Sequence, residues 1–185
     1  MVASMRKLIG LFFLMLPLSL NAATLDEVTL PDIVKIEGRD LILNGIGIRK
    51  ATFLKVKVYY GGLYLEQKTK DQNTFLNTSS SKQIIMHFVR EVSAKKLRDA
   101  FSEGIEAANK NYASLKTQTD KFNSSVVDVV KGDQFIITFL KDTVLFTTKD
   151  KTTVIKDQDF SYALLNIWFI NARDEGLRSG LLGID

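Results

Sequence analysis

The stretch LILNGIGIRKATFLKVKVYYGGLYLE, residues Leu41 to Glu66, decides the fold. Leu41 to Ile46 is an apolar run broken only by Asn44. Leu54, Val56, Val58 and Tyr60 alternate with Lys55, Lys57 and Tyr59, which predicts a strand with one buried face. The stretch therefore reads as two strands and a bend. Gly45 and Gly47 lack a Cβ, so they either turn the backbone or let another group approach it closely. Arg49 falls between the two strands, at the edge of the expected core. A guanidinium there must find an anion or keep its head in water. No acid occurs from Leu41 to Tyr60; Glu37, Asp40 and Glu66 lie just outside.

Upstream, Thr24 to Pro31 is polar and reads as a surface loop. Val34 to Glu37 and the run from Leu41 read as strands joined by a turn at Gly38-Arg39-Asp40. Downstream, Gln67 to Asn73 is charged and amide-rich, hence solvated, and Thr74 to Asn77 has room for one helical turn. Lys82 to Arg90 is an apolar run bounded by polar residues, as expected of a buried strand. Ser93 then reads as the N-cap of an amphipathic helix from about Ala94 to Lys110, with Leu97, Phe101 and Ile105 on its apolar face. A second helix is expected from about Ala113 into the Phe122 region. Phe135 to Leu140, Val144 to Thr148 and Thr152 to Ile155 form a three-stranded meander. Asp159 is the expected cap of a third helix through Phe160, Ala163, Leu164, Ile167 and Trp168. Asp174 and Gly183 bracket a last short one. Strands and helices come in groups without βαβ alternation, which argues α+β.

Arg6 and Lys7, the apolar run Leu8 to Leu20, and the small residues at Asn21-Ala22-Ala23 make residues 1–23 a secretory signal peptide. The apolar run falls short of the roughly 20 residues that span a bilayer, and no later stretch is long and apolar enough to do so. The expected product is a periplasmic domain over residues 24–185. The chain has 25 basic and 21 acidic residues. Removing Arg6 and Lys7 leaves a charge near +2, with the basic residues scattered among acids. No basic stripe of the kind that reads nucleic acid is present.

With no cysteine, disulfides, thiolate metal sites and a cysteine nucleophile are excluded. The one histidine, His87, lies mid-strand with no nucleophile motif nearby and reads as a packed residue. Nothing has metal-ligand spacing, and no cofactor is expected. The paired glycines lie in strands and do not form a phosphate loop opening a helix.

GIGIRK followed by KVYYGGLYLE, then VVKGD at Val129 to Asp133, the strand from Phe135, Asp159-Phe160 with ALLNIWF, and the terminal LRSGLLG, resemble in order and spacing the chalcone isomerase-like family, in particular its secreted bacterial branch. The resemblance implies an open-faced β-sandwich with one large antiparallel sheet covered by helices on one face. It also implies a role for Arg49, which matches the arginine that holds a phenolate or enolate oxygen in the enzymes. In their fatty-acid-binding relatives that arginine holds a carboxylate, helped by a tyrosine on the next strand. Tyr59 and Tyr60 are the tyrosines available here, and alternation puts only one of them on Arg49's side of the sheet. A guanidinium fork with a phenol beside it suits a carboxylate.

The rest of the enzyme site does not carry over. The position of its threonine falls at about Tyr59, and those of its tyrosine and asparagine near Val92 and Asp99 or Ala100. Trp168 matches a family tryptophan and reads as core, with Phe169-Ile170 in place of the leucine-glycine that follows it. The expectation is a non-catalytic domain binding a fatty acid or other small amphipathic anion through Arg49, Tyr59 and Tyr60. Its rivals are an intramolecular lyase or isomerase, and an interaction protein with a filled core. A cleft of about 300 Å³ or more reaching Arg49 favours binding, and a filled core favours the interaction protein.

Overall fold

The computed structural model describes residues 22–51, 54–149 and 151–184. The expected signal peptide lies outside them, apart from Ala22 and Ala23. Seven strands form one antiparallel sheet in strict chain order: β3 (Ile33–Ile36), β4 (Arg39–Ala51), β5 (Val56–Leu65), β6 (Lys82–Phe88), β7 (Gln134–Phe139), β8 (Thr143–Thr147) and β9 (Thr152–Lys156). Four helices are described: α1 (Ala94–Ala108), α2 (Lys116–Asn123), α3 (Gln158–Asn166) and α4 (Glu175–Leu182). Their apolar faces pack on one side of the sheet. Leu97, Phe101 and Ile105 of α1, Phe122 of α2 and Phe160 of α3 join Tyr59, Phe88, Phe135 and Phe146 in one core. Phe122 lies at its centre, 4.9 Å from Phe101 and 4.5 Å from Phe146, ring centre to ring centre.

The N-terminus corrects the expectation of a surface loop. Ala22–Leu25 (β1) and Val28–Pro31 (β2) form a hairpin in register Leu25 to Val28. The hairpin lies on the other face of the sheet, where Val28 and Leu30 are buried with Leu41, Leu43, Tyr60, Tyr64 and Ile85. Ala23 and Leu25 of β1 pack beside them, partly buried, so four apolar side chains of a short segment cover part of that face.

The glycines of the opening stretch do not turn the chain. β4 runs unbroken through them to Ala51, and Arg49 lies within it, not between two strands. A bulge at Asn44 shifts the register between Leu43 and Gly45. One extra residue exchanges the two faces of a strand. Leu41 and Leu43 therefore share the hairpin side with Ile46 and Ile48, and the helix side receives Gly45, Gly47 and Arg49. There α4 lies directly on the backbone of β4. A Cβ on Gly180 would stand 2.5 Å from Gly47 Cα, and one on Gly45 would run into the carbonyl of Gly180. Close approach, not a bend, is what the glycines permit. Asn44 ties the seam, donating from Nδ2 to the Leu181 carbonyl at 2.8 Å. β5 begins at Val56, and Leu54, expected inside, is exposed in the turn before it.

Other local expectations shift by a few residues. The turn between β3 and β4 is Glu37-Gly38, both at positive φ, the two-residue turn that suits a right-twisted hairpin. Asp157, not Asp159, caps α3 by accepting from the Phe160 amide. A 3₁₀ turn at Tyr112–Leu115 precedes α2. Ser93 holds the cap position of α1, but it is Asp128 that accepts from the Ala94 amide.

Candidate ligand pocket at Arg49

Arg49 and Tyr59 are paired across β4 and β5, so their side chains leave the same face. Tyr60, one residue on, leaves the opposite face. Its hydroxyl donates to Asp26 at 2.6 Å, and Lys57 Nζ donates to the same Asp26 oxygen at 2.7 Å. The expected tyrosine partner of Arg49 is therefore Tyr59. Tyr60 clamps the N-terminal hairpin and is corrected out of the site. Burial pushes the Tyr60 phenol up, and the bond from Lys57 holds the Asp26 carboxyl down. His87 belongs to that same face, half-buried beside Gln134, with burial lowering its basicity.

On the helix side, Arg49 and Tyr59 open into a pocket of about 100 Å³. Its walls are Met86, Leu97, Phe101, Ile167, Trp168 and Leu177, with small residues of α1, Ala100, Gly104 and Ala107, leaving the space. Arg49, Arg173 and Asp174 add charged groups to the lining. A wetter cleft of about 340 Å³ under the loop after β5, lined by Glu66, Lys68 and Thr69 among others, includes no part of Arg49.

The anion that Arg49 requires comes from the far end of the chain. Nη1 donates to Asp174 Oδ2 at 3.3 Å and to the Lys50 carbonyl at 3.0 Å. Asp174 is itself well held. Its Oδ1 accepts from the Leu177 amide at 3.0 Å, capping α4, and its Oδ2 accepts from the Lys50 amide at 2.7 Å. Of the acids considered from the sequence, Asp40 pairs with Lys35 and Glu66 with Arg39. Asp174 was legible only as a helix cap. Nothing in the sequence placed that helix on β4 except the glycines in each.

Tyr59 is 8% exposed, and its hydroxyl accepts from Trp168 Nε1 at 3.2 Å. Burial pushes its pKa up to about 12, against the opposing effects of the Trp168 bond and of Arg49, so the phenol stays neutral. Trp168 is buried as expected, at 3% exposure, but it also has a polar role that the core reading missed. Val92 pairs with Val129 by backbone bonds and Asp99 is exposed in an ion pair with Lys95; Ala100 alone of these three lines the pocket.

A family model described as chalcone isomerase-like matches residues 22–183, and the chain belongs to that family. Among solved structures, a fatty-acid binding protein of Arabidopsis thaliana is similar, with a TM-score of 0.70 and 14% identity, covering 88% of this chain and 96% of its own. At that identity the likeness speaks for the fold. No curated protein sequence matches the chain.

Proposed function

We propose that this is an exported, non-catalytic binding domain for a compact amphipathic anion. The apolar part enters between α1 and the sheet, and the acid group lies at Arg49. The observation that carries the reading is the pocket itself: apolar walls, with a guanidinium and a buried neutral phenol on one side of it. The solved fatty-acid binding protein of similar fold is in keeping with it. The pocket's size narrows the ligand. At about 100 Å³ it is well below the roughly 300 Å³ at which sites for drug-sized ligands begin. It holds about three or four water-sized groups. A short acyl chain or a small ring fits that space, and a long-chain fatty acid requires α1 to move outward. Non-catalytic binding is favoured over isomerisation because the positions matching the enzyme's tyrosine and asparagine hold Val92 and Asp99 or Ala100, while the pocket's own Tyr59 and Asn171 stand elsewhere in its lining.

Two observations favour the rival interaction protein. The space at Arg49 falls short of the roughly 300 Å³ that favours binding. Arg49 already has a counterion in Asp174, so the arginine is not waiting for an external anion. Titration calorimetry with acetate, hexanoate, decanoate and palmitate separates the two. Saturable binding of hexanoate that is lost in Arg49→Met supports the proposal. Heats of dilution across the whole series favour the interaction protein.

Export is part of the same proposal and rests on residues 1–23. The expected cut follows Ala22 or Ala23, and the pairing of β1 supports the first. Ala23 pairs with Leu30 in the hairpin, so cleavage after Ala22 preserves that rung and a cut after Ala23 removes it. N-terminal sequencing of the periplasmic protein is expected to begin at Ala23; recovery of intact Met1 in a membrane fraction would overturn export.

A further inference from the structure

The bond between Trp168 and Tyr59 has a direction. An indole N–H donates and never accepts. The phenol oxygen, 3.2 Å from Nε1, is therefore the acceptor on that side, and its own proton must point elsewhere. Arg49, the charged neighbour on the same face, also carries only donors. The carboxylate lining the pocket, Asp174, is taken up by the Leu177 amide, the Lys50 amide and Arg49. Among the described residues the Tyr59 hydroxyl makes no hydrogen bond besides the one it accepts from Trp168. A donor more than nine-tenths buried and left unmatched is a cost that a ligand can remove.

We infer that Trp168 is a positioning residue. By occupying the Tyr59 oxygen it turns the phenol proton into the pocket and commits the site to ligands that present an acceptor oxygen there. The inference rests on the proposed binding function and goes further, since it assigns the polarity of the site and a residue that sets it. A carboxylate or ketone oxygen satisfies both Tyr59 and Arg49. An alkylammonium head, which has donors only, satisfies neither. The high pKa of Tyr59 is consistent with this, because the proton remains in place throughout the physiological range.

Trp168 is the only tryptophan, so nitrogen-labelled protein gives a single indole N–H resonance. The test uses wild type, Trp168→Phe, Tyr59→Phe and the double variant, first checked for cooperative melting. In the free protein, Tyr59→Phe is expected to move the indole resonance upfield; an unmoved resonance overturns the inference. Calorimetry then uses hexanoate, methyl butyl ketone and hexylamine. Trp168→Phe is expected to weaken hexanoate about tenfold when Tyr59 is present and less than twofold when it is Phe, with no measurable hexylamine binding to any variant. Equal losses in the two backgrounds would make Trp168 a packing residue and overturn its positioning role. Ketone binding with the same dependence on Trp168, but no hexanoate binding, supports the polarity and overturns the anion reading. Failure of both acceptor probes overturns both.

Discussion

At the scale of single residues, Arg49 changes its meaning once Asp174 is in place. Read from Leu41 to Tyr60 alone, it is a cation without a partner, and Arg49→Met would leave the free protein as stable or more so. Paired as it is, with side chains 27% and 14% exposed, the opposite sign is expected. Arg49→Met should destabilise by about 1–2 kcal/mol, because Asp174 loses a charge-assisted bond but keeps two amide donors. Thermal melts of Arg49→Met, Asp174→Asn and the double variant check this, and a coupling near zero would disprove the pair. Trp168→Ala is expected to cost about 3–5 kcal/mol, as emptying a large buried aromatic site does. A urea titration giving less than about 1 kcal/mol would place the ring outside the core.

At the scale of elements, the seam between α4 and β4 is the least forgiving contact. Gly180→Ala puts a methyl group 2.5 Å from the Gly47 backbone, and backbone on both sides cannot rotate away. A loss of at least about 3 kcal/mol, at the upper end for overpacking, is expected in denaturant melts, whereas Gly176→Ala, whose Cβ meets only a side-chain oxygen at 3.5 Å, should be close to neutral. The seam also marks how far local sequence carries. Element types were legible wherever a period ran long enough: the Lys82–Phe88 strand, α1 through Leu97, Phe101 and Ile105, the β7–β9 meander, and the Asp174 and Gly183 ends of α4. What local sequence does not contain is the partner of each face. The β1–β2 hairpin has only Ala23, Leu25, Val28 and Leu30 to announce it. The bulge at Asn44, which decides that Arg49 faces the helices, is bonded to a helix 137 residues later. The choice between Tyr59 and Tyr60 follows from that bulge, so the stretch from Leu41 to Glu66 does not make it alone.

At the scale of the whole molecule, buried titratable groups shape the pH dependence of stability. Lys82 is 2% exposed, with its amine on the carbonyls of Thr78 and Ser80, and burial pulls its pKa down to about 8. Between about 8 and the ordinary lysine value of 10.5, the unfolded chain holds a proton that the folded one has released, so stability climbs with pH. Tyr59, Tyr60 and Tyr64 are all shifted upward by burial. Above about pH 10 the unfolded chain ionises them while the fold keeps them neutral, and stability falls. Urea midpoints taken from pH 7 to 11 are expected to peak near pH 10, with a rise on the order of 2–3 kcal/mol. Lys82→Met should flatten the rising limb alone. A profile that falls steadily from pH 8 in the wild type would contradict the burial of that amine.

The bond from Arg49 to Asp174 spans 125 residues, and this has a consequence for timing. A chain is made, and on export emerges, N-terminus first, so β4 and β5 are available to pair before α4 is. Until then the glycine groove of β4 lies bare and Arg49 has no counterion from the helix. Local hairpins form fast, while contacts that close most of the chain come late. The Arg49–Asp174 pair and the seam beside it are therefore late contacts. A chain stopped before Asp174 would carry the whole sheet and most of the pocket wall, yet lack the counterion of Arg49 and the helix that covers the glycines, so the pairing of Arg49 reports that the last helix has docked.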